Sequence, residues 1–177
     1  MFPSVDETKI GRTWGQGVST AWQYASANIL LLFGAASLMV GGWAPFVVIV
    51  LIMLFGSFAD ELAGDDWDSL SDSARTFFNL NLYLSLPLIC VLTVLLALYA
   101  ADHPGFGAAP LQLIGAIWVV GYLYALVGAT VGHELTHRQS KPAQWAAHML
   151  LGFTGNASFV IYHVHVHHRQ VGTYDDA

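Results

Sequence analysis

Seven of the eight histidines in this chain lie between His133 and His168, and most of them fall into two short groups. The first group, residues 133–137, has the sequence His-Glu-Leu-Thr-His. The second group, residues 163–168, has the sequence His-Val-His-Val-His-His. Neutral imidazole is the commonest protein ligand for transition metals. The two groups therefore predict a metal site.

The spacing of the first group suits a helix that binds metal. His133 and His137 are four residues apart, which places both imidazoles on one face of a helix, one turn apart, where they can share an ion. The same pattern occurs in zinc proteases, where the intervening glutamate, here Glu134, is the general base. The first group by itself leaves both the metal and the reaction open.

The second group adds three candidate ligands. His163, His167 and His168 stand at positions i, i+4 and i+5, and we expect them to share one helical face. His165 points to nearly the opposite face and is expected to face solvent or to support the ligands. A set of five imidazoles exceeds what a mononuclear zinc site uses and suits two irons better than one. The five candidate ligands are His133, His137, His163, His167 and His168.

The rest of the chain has the composition of a membrane protein. Hydrophobic residues make up 55% and charged residues 10% of the 177 residues, against about 25% charged residues in a typical soluble domain. The mean hydropathy is +0.55. With a net charge of −6 and six Lys and Arg residues in all, a nucleic-acid role is excluded. We predict an all-α integral membrane bundle that forms a single domain.

Windows without charged residues predict four transmembrane helices, at about residues 22–40, 43–59, 76–101 and 111–130. The Gly41-Gly42 pair predicts the turn between the first two helices. The first histidine group continues the fourth helix. Residues 142–162 are uncharged but less apolar, and they predict a helix that packs on protein or lies in the membrane interface. The second histidine group follows this cytoplasmic-side or interfacial helix.

The basic residues predict the orientation of the bundle. If the N-terminus is cytoplasmic, all Lys and Arg residues lie on the cytoplasmic side, as the positive-inside rule requires. Both histidine groups are then cytoplasmic, while His103 lies in an outer loop and is excluded from the site. His148, which follows His137 by 11 residues, is expected to support the ligands or to hydrogen-bond only within the bundle.

The two groups resemble the histidine boxes of the integral-membrane non-haem di-iron proteins, which include the fatty acid desaturases, alkane 1-monooxygenases and xylene monooxygenases. Residues 133–138 resemble the first box and residues 163–169 the second. The following Val-Gly-Thr-Tyr-Asp-Asp-Ala segment is similar to the alkane-monooxygenase branch. The resemblance covers residues 132–177, and the first 131 residues share only the hydropathy layout. Tyr162 departs from the pattern, because alkane monooxygenases usually have glutamate at this position.

This resemblance implies an oxidoreductase that uses O₂ to hydroxylate, or to desaturate, an alkane or a fatty acyl chain. Two non-haem irons would be held by the five histidines. Glu134, His148, Tyr162 and His165 are the candidates for residues that support these ligands. A rubredoxin- or ferredoxin-type protein would donate electrons. The resemblance further implies an integral protein of the lipid bilayer, in a bacterial inner membrane, with an apolar slot between the helices for the hydrocarbon.

The family has a third histidine box of the type His-x-x-His-His downstream of the second one. No such box follows His168 before Ala177. We therefore expect residues 1–177 to be the N-terminal part of a single, C-terminally incomplete domain, and we expect this part to be inactive by itself.

Two alternatives remain open from the sequence. An integral-membrane zinc metalloprotease would use Glu134 to activate water on a zinc ion held by His133 and His137, but this hypothesis leaves the second histidine group unexplained. A non-catalytic membrane protein with a structural or regulatory metal site would bind metal without consuming O₂.

Overall fold

The computed structural model describes residues 14–63, 72–102 and 110–173, and the regular elements in these ranges are all helical. The predicted all-α class is confirmed. Two of the helical segments are π-helical turns, in which each backbone N–H bonds the carbonyl five residues earlier; we name them π1 and π2. In chain order the elements are α1 (Trp14–Val40), α2 (Ala44–Ala63), α3 (Asp72–Asp102), α4 (Pro110–Leu123), π1 (Tyr124–Ala129), α5 (Thr130–Thr136), α6 (Lys141–Phe153), α7 (Phe159–Tyr162), π2 (His163–His167) and α8 (His168–Gln170).

Three of the four predicted spans fall within a long helical segment, and the second begins one residue before α2. Among the described residues, two such segments are long and apolar enough to cross a membrane: Arg75–Asp102, and Pro110–Thr136, which joins α4, π1 and α5. The apolar stretches described for the first two helices, Ala25–Val40 and Ala44–Gly56, are shorter. The structure thus supports two candidate membrane spans, and the four-span arrangement stays a prediction.

The predicted turn between α1 and α2 is confirmed at Gly41 and Gly42. Both residues have positive φ angles, 76° and 55°, which glycine adopts without a steric penalty. The Tyr99 hydroxyl near the end of α3 donates a hydrogen bond to the carbonyl of Gly42, at 3.0 Å. The turn is therefore held by the third helix as well as by its own backbone.

The core is built by three main helix pairs. The most extensive packing is between α1 and α3, while α2 packs on α4, and the consecutive helices α5 and α6 pack on each other. The interface between α1 and α3 contains a buried polar cluster of Asn28, Asn81 and Ser85, whose exposed fractions are 5%, 9% and 1%. The helix that carries the first histidine group, α5, also contacts α3.

The segment at residues 142–162 differs from its prediction. It was expected to be one helix, but α6 ends at Phe153 and a turn separates it from α7. Gly155 adopts a positive φ of 77°, and the Asn156 backbone N–H donates to the carbonyl of Leu151, which closes the helix end. Because α6 buries Ala143, Ala147 and Leu150, this part of the segment packs on protein, and its position relative to a membrane interface stays a prediction.

Candidate metal centre

The first histidine group lies at the end of the long helical segment that also forms a candidate membrane span. His133 is on α5, and His137 directly follows Thr136, the last residue of α5. Their Nε2 atoms are 3.3 Å apart, so the predicted pairing of these two imidazoles on one helix is observed. The group is therefore positioned by a helix that is anchored in the apolar bundle.

Close packing between α5 and α6 supports this helix. A Cβ atom added at Gly132 would lie 2.8 Å from Cγ of Leu151 and 3.3 Å from Cβ of Leu150. Only a glycine therefore allows α6 to approach α5 this closely, directly beside His133.

Substitution of Gly132 by alanine should consequently push α6 away from α5. We expect a loss of about 1–3 kcal/mol in unfolding free energy, which is typical of overpacking, together with weaker metal binding. Gly152→Ala on α6 is the matched control, since a Cβ there meets nothing within 4 Å. Thermal unfolding in detergent checks the difference, and equal stabilities of the two variants would contradict it.

The second histidine group lies on π2 and at the start of α8, which corrects the expected α-helical face. In a regular α-helix, His168 would stand about 140° around the axis from His163. In the structure the His168 N–H donates to the His163 carbonyl five residues earlier, and a π turn narrows this angle to roughly 50°. The Nε2 atoms of His163 and His168 are consequently 3.1 Å apart.

Three imidazole nitrogens from the two groups form a triangle. The Nε2 of His163 lies 2.7 Å from that of His133 and 3.3 Å from that of His137, and the third side is 3.3 Å. Imidazoles that share an ion at the usual metal–nitrogen distance have their nitrogens roughly 3.0–3.5 Å apart. Two sides of the triangle, at 3.3 Å, lie in this range, and the third, at 2.7 Å, is slightly shorter. The triangle is therefore close to the size that one transition-metal ion requires.

Hydrogen bonding alone does not account for this triangle. The Nε2 of a neutral imidazole is either a donor or an acceptor, so three of them that converge on one point cannot all be paired with one another. A cation at the centre would accept the lone pairs of all three. The donor set of His133, His137 and His163 thus fits a metal.

The protonation of the cluster also favours metal binding. Burial, followed by repulsion from the neighbouring imidazoles of His133 and His168, lowers the pKa of His163 to about 4. The pKa of His137 is lowered as well, by burial first and then by His133 and His168. Both rings are therefore neutral at pH 7 and have a lone pair to offer.

The remaining histidines of the second group surround the triangle without joining it. The ring of His167 stacks on that of His163, with centroids 5.2 Å apart and planes 19° apart. His165 is exposed, as predicted. The described residues thus place three of the five predicted ligands in one group, with His168 next to His163 and His167 in the ring stack.

Phe159 is a residue of the site that the sequence reasoning missed. Its ring stacks on His163, with centroids 4.7 Å apart and an interplanar angle of 16°, and it meets the ring of His133 edge-on at 5.9 Å. The signal that could have found it is the spacing of four residues between Phe159 and His163 on a helix.

Glu134 is paired on the side of α5 that faces α3. Its Oε1 accepts a hydrogen bond from Arg138 Nη2 at 3.2 Å, and Arg138 Nη1 donates to Oδ1 of Asn79 at 2.6 Å. Glu134 lines a cavity of about 280 Å³ between α1, α3 and α5. His133 instead lines a second cavity, of about 290 Å³. This arrangement does not favour Glu134 as the base of a zinc protease.

Two other predicted supporting residues, His148 and Tyr162, lie at the protein surface. His148 is exposed, and its Nδ1–H donates to the Gln144 carbonyl of its own helix, at 2.8 Å. Its bonding within the bundle matches the second of the two expectations for it. Tyr162 directly precedes His163 and is 36% exposed. His103 lies outside the described residues.

Comparison with known proteins gives partial matches to hydrocarbon monooxygenases. The chain is 37% identical over 73 residues to alkane 1-monooxygenase 2 of Alcanivorax borkumensis, a match that covers 41% of this chain and 19% of the relative. It is 39% identical over 64 residues to alkane 1-monooxygenase 2 of Pseudomonas aeruginosa, with 36% and 17% covered. It is 33% identical over 97 residues to the xylene/toluene monooxygenase hydroxylase component XylM of Pseudomonas putida, with 55% and 26% covered.

No family model matches the chain, and no solved structure matches it. The matched segments span about a fifth to a quarter of the length of these relatives. Over part of its length, this helical chain with its imidazole cluster is therefore similar to alkane and xylene monooxygenases.

Proposed function

We propose that this chain carries metal ligands of a membrane monooxygenase that hydroxylates a hydrocarbon with O₂. The observation that carries the proposal is the triangle of Nε2 atoms from His133, His137 and His163, at the end of a helix apolar enough to span a membrane. The partial similarity to alkane and xylene monooxygenases supports the same reaction class.

Iron is the metal that the resemblance favours, and when bound it would supply the activation of O₂. His133, His137 and His163 would hold one iron. His167 and His168 stand beside them as candidates for a second iron. The stack of Phe159 on His163 would fix the orientation of the ligand ring and exclude water from one side of the ion.

The cavity beside His133 is a candidate binding site for the hydrocarbon. It measures about 290 Å³, and its walls combine the apolar residues Ala129, Leu151 and Phe159 with the polar residues Thr130, Thr154 and Asn156. An apolar molecule there would sit next to a metal ligand, and positioning of the reacting carbon is a large part of catalysis. An alkane or the methyl group of an aromatic ring would fit this chemistry, whereas desaturation of a fatty acyl chain rests on the resemblance alone.

The proposal also places the site in a membrane and gives it an electron donor. The bilayer would hold the apolar helices, with the N-terminus and both histidine groups on the cytoplasmic side of a bacterial inner membrane. A rubredoxin- or ferredoxin-type protein would deliver electrons there. Residues 1–177 would belong to a single domain of this kind.

The proposal is tested by product analysis with ¹⁸O₂. The chain in detergent or lipid is loaded with Fe²⁺ without air, and is then given ¹⁸O₂, a ferredoxin with its reductase and NADPH, and octane or xylene. Labelled alcohol that depends on iron is the expected result, and it would contradict the expectation, drawn from the sequence alone, that residues 1–177 are inactive by themselves. One zinc per chain with peptidase activity would instead support the protease, and metal binding without O₂ consumption would support the non-catalytic alternative.

A further inference from the structure

Arg138 links two helices at the edge of the imidazole cluster. Its Nη1 donates to Oδ1 of Asn79 on α3, at 2.6 Å, and its Nη2 donates to Oε1 of Glu134 on α5, at 3.2 Å. The side chains of Arg138 and Glu134 are 29% and 45% exposed. The guanidinium group therefore joins residues that are 59 positions apart in sequence.

The neighbouring candidate ligand His137 is held mainly by contacts with other imidazoles and by the end of α5. It is exposed and stands where α5 ends, with its backbone N–H directed at the carbonyls of Glu134 and Leu135. The last turn of a helix is the part that frays most easily, because its carbonyl groups have no partners further along the helix. The ring contacts of His137 are to the imidazoles of His133, His163 and His168.

From this geometry we propose that Arg138 is a positioning residue of the metal site, which fixes the last turn of α5 and thereby holds the His137 imidazole at the ion. The inference rests on the proposed function in that it requires a metal at His133, His137 and His163. It also gives Glu134 a different role from a general base: its carboxylate is the anchor for Arg138 within α5.

The chemistry of the guanidinium group suits this role. Its donors lie in one rigid plane, so a single side chain can hold an amide oxygen on one helix and a carboxylate on another at fixed angles. A lysine ammonium group is a flexible point charge and cannot reproduce both directions at once. Arg138→Lys should therefore behave like Arg138→Gln, although it keeps the positive charge.

Copper binding provides the test, because Cu²⁺ binds imidazole sites more tightly than the other divalent ions and keeps weakened variants measurable. We expect Arg138→Gln, Arg138→Lys and Asn79→Ala each to weaken Cu²⁺ binding about tenfold, the effect usual for partners of metal ligands. Asn79→Asp retains the acceptor oxygen and should stay within about twofold of the unaltered chain. Lys141→Gln, which removes a nearby charge, is the matched control and should have no effect.

A second measurement separates positioning from a general loss of structure. In a His137→Ala background, Arg138→Gln should not weaken Cu²⁺ binding further, because the ligand through which it acts is gone. The nitrogen hyperfine pattern in the electron paramagnetic resonance spectrum of Arg138→Gln should shift towards that of His137→Ala. If Arg138→Gln does not fold, the variants at Asn79 give the same comparison from α3.

Two results overturn the inference alone: unchanged copper affinity and spectrum in Arg138→Gln, or an equal loss of affinity with and without His137. If the unaltered chain does not bind Cu²⁺, Co²⁺ or Fe²⁺, the proposed function fails and the inference fails with it. The two failures are therefore distinguishable.

Discussion

Replacement of His163 by alanine is expected to abolish metal binding, with a loss of affinity of more than about 100-fold, since even residues that only support ligands can cost up to that factor. His163 contacts more imidazoles of the cluster than any other described histidine does through its Nε2 atom. Its Nε2 lies within 3.3 Å of the Nε2 atoms of His133, His137 and His168, and its side chain is 9% exposed. No other described residue joins the two histidine groups in this way.

Titration with Co²⁺, followed by metal analysis after gel filtration, measures the effect of His163→Ala. His165→Ala and His148→Ala are matched controls: His165 is exposed on the same π turn, and His148 bonds to the backbone of its own helix. Both should bind within about twofold of the unaltered chain, because neither contributes to the triangle. One tightly bound ion per chain in His163→Ala would refute the assignment.

The parts of the fold that depend on local chemistry could be predicted from the sequence. The charge-free window at residues 76–101 coincides closely with α3 (Asp72–Asp102), because a charged side chain is costly in an apolar span. The Gly41-Gly42 turn was found because only glycine adopts its φ angles easily. The break after α6 was missed, since it depends on a single glycine conformation within an otherwise helical pattern.

The candidate site was predictable in its residue types but not in its arrangement. The four-residue spacing of His133 and His137 fixes their relation on a helix, and the structure shows that relation. The position of His168 was not predictable in the same way, because π2 shifts the hydrogen-bond register by one residue and no residue type reliably signals that shift. The contact of Arg138 with Asn79 depends on how α5 meets α3, which no local pattern in the sequence indicates.

The polar cluster between α1 and α3 should contribute strongly to the stability of the bundle. Asn28 Nδ2 donates to the backbone carbonyl and to the Oδ1 of Asn81, both at 2.9 Å, and Asn28 Oδ1 accepts from the Ser85 hydroxyl at 2.8 Å. Polar groups in apolar surroundings are costly if they lose their partners. We expect Asn28→Ala to lower the unfolding free energy by about 2–3 kcal/mol, because it removes three hydrogen bonds between α1 and α3 and leaves Oδ1 of Asn81 without the donor that it has in the cluster.

Ser37→Ala is the matched control for Asn28→Ala. Ser37 is also buried on α1, 3% exposed, but its hydroxyl bonds only to the Gly34 carbonyl of the same helix. Its removal leaves no group on another helix without a partner, so the loss should stay below about 1 kcal/mol. Unfolding by denaturant in detergent micelles, followed by tryptophan fluorescence, compares the two variants.

A double substitution shows whether the cluster acts as a unit. Ser85 also donates to the backbone carbonyl of Asn81, at 3.1 Å, so its hydroxyl keeps one partner when Asn28 is replaced. Asn28→Ala combined with Ser85→Ala should therefore cost less than the sum of the two single changes. Strict additivity would mean that the bonds contribute independently. Asn81 lies two residues after Asn79 on α3, so a coupled cluster would also fix the stretch of α3 that holds Arg138. The stability of the α1–α3 interface would then be connected to the end of α5, which carries the first histidine group.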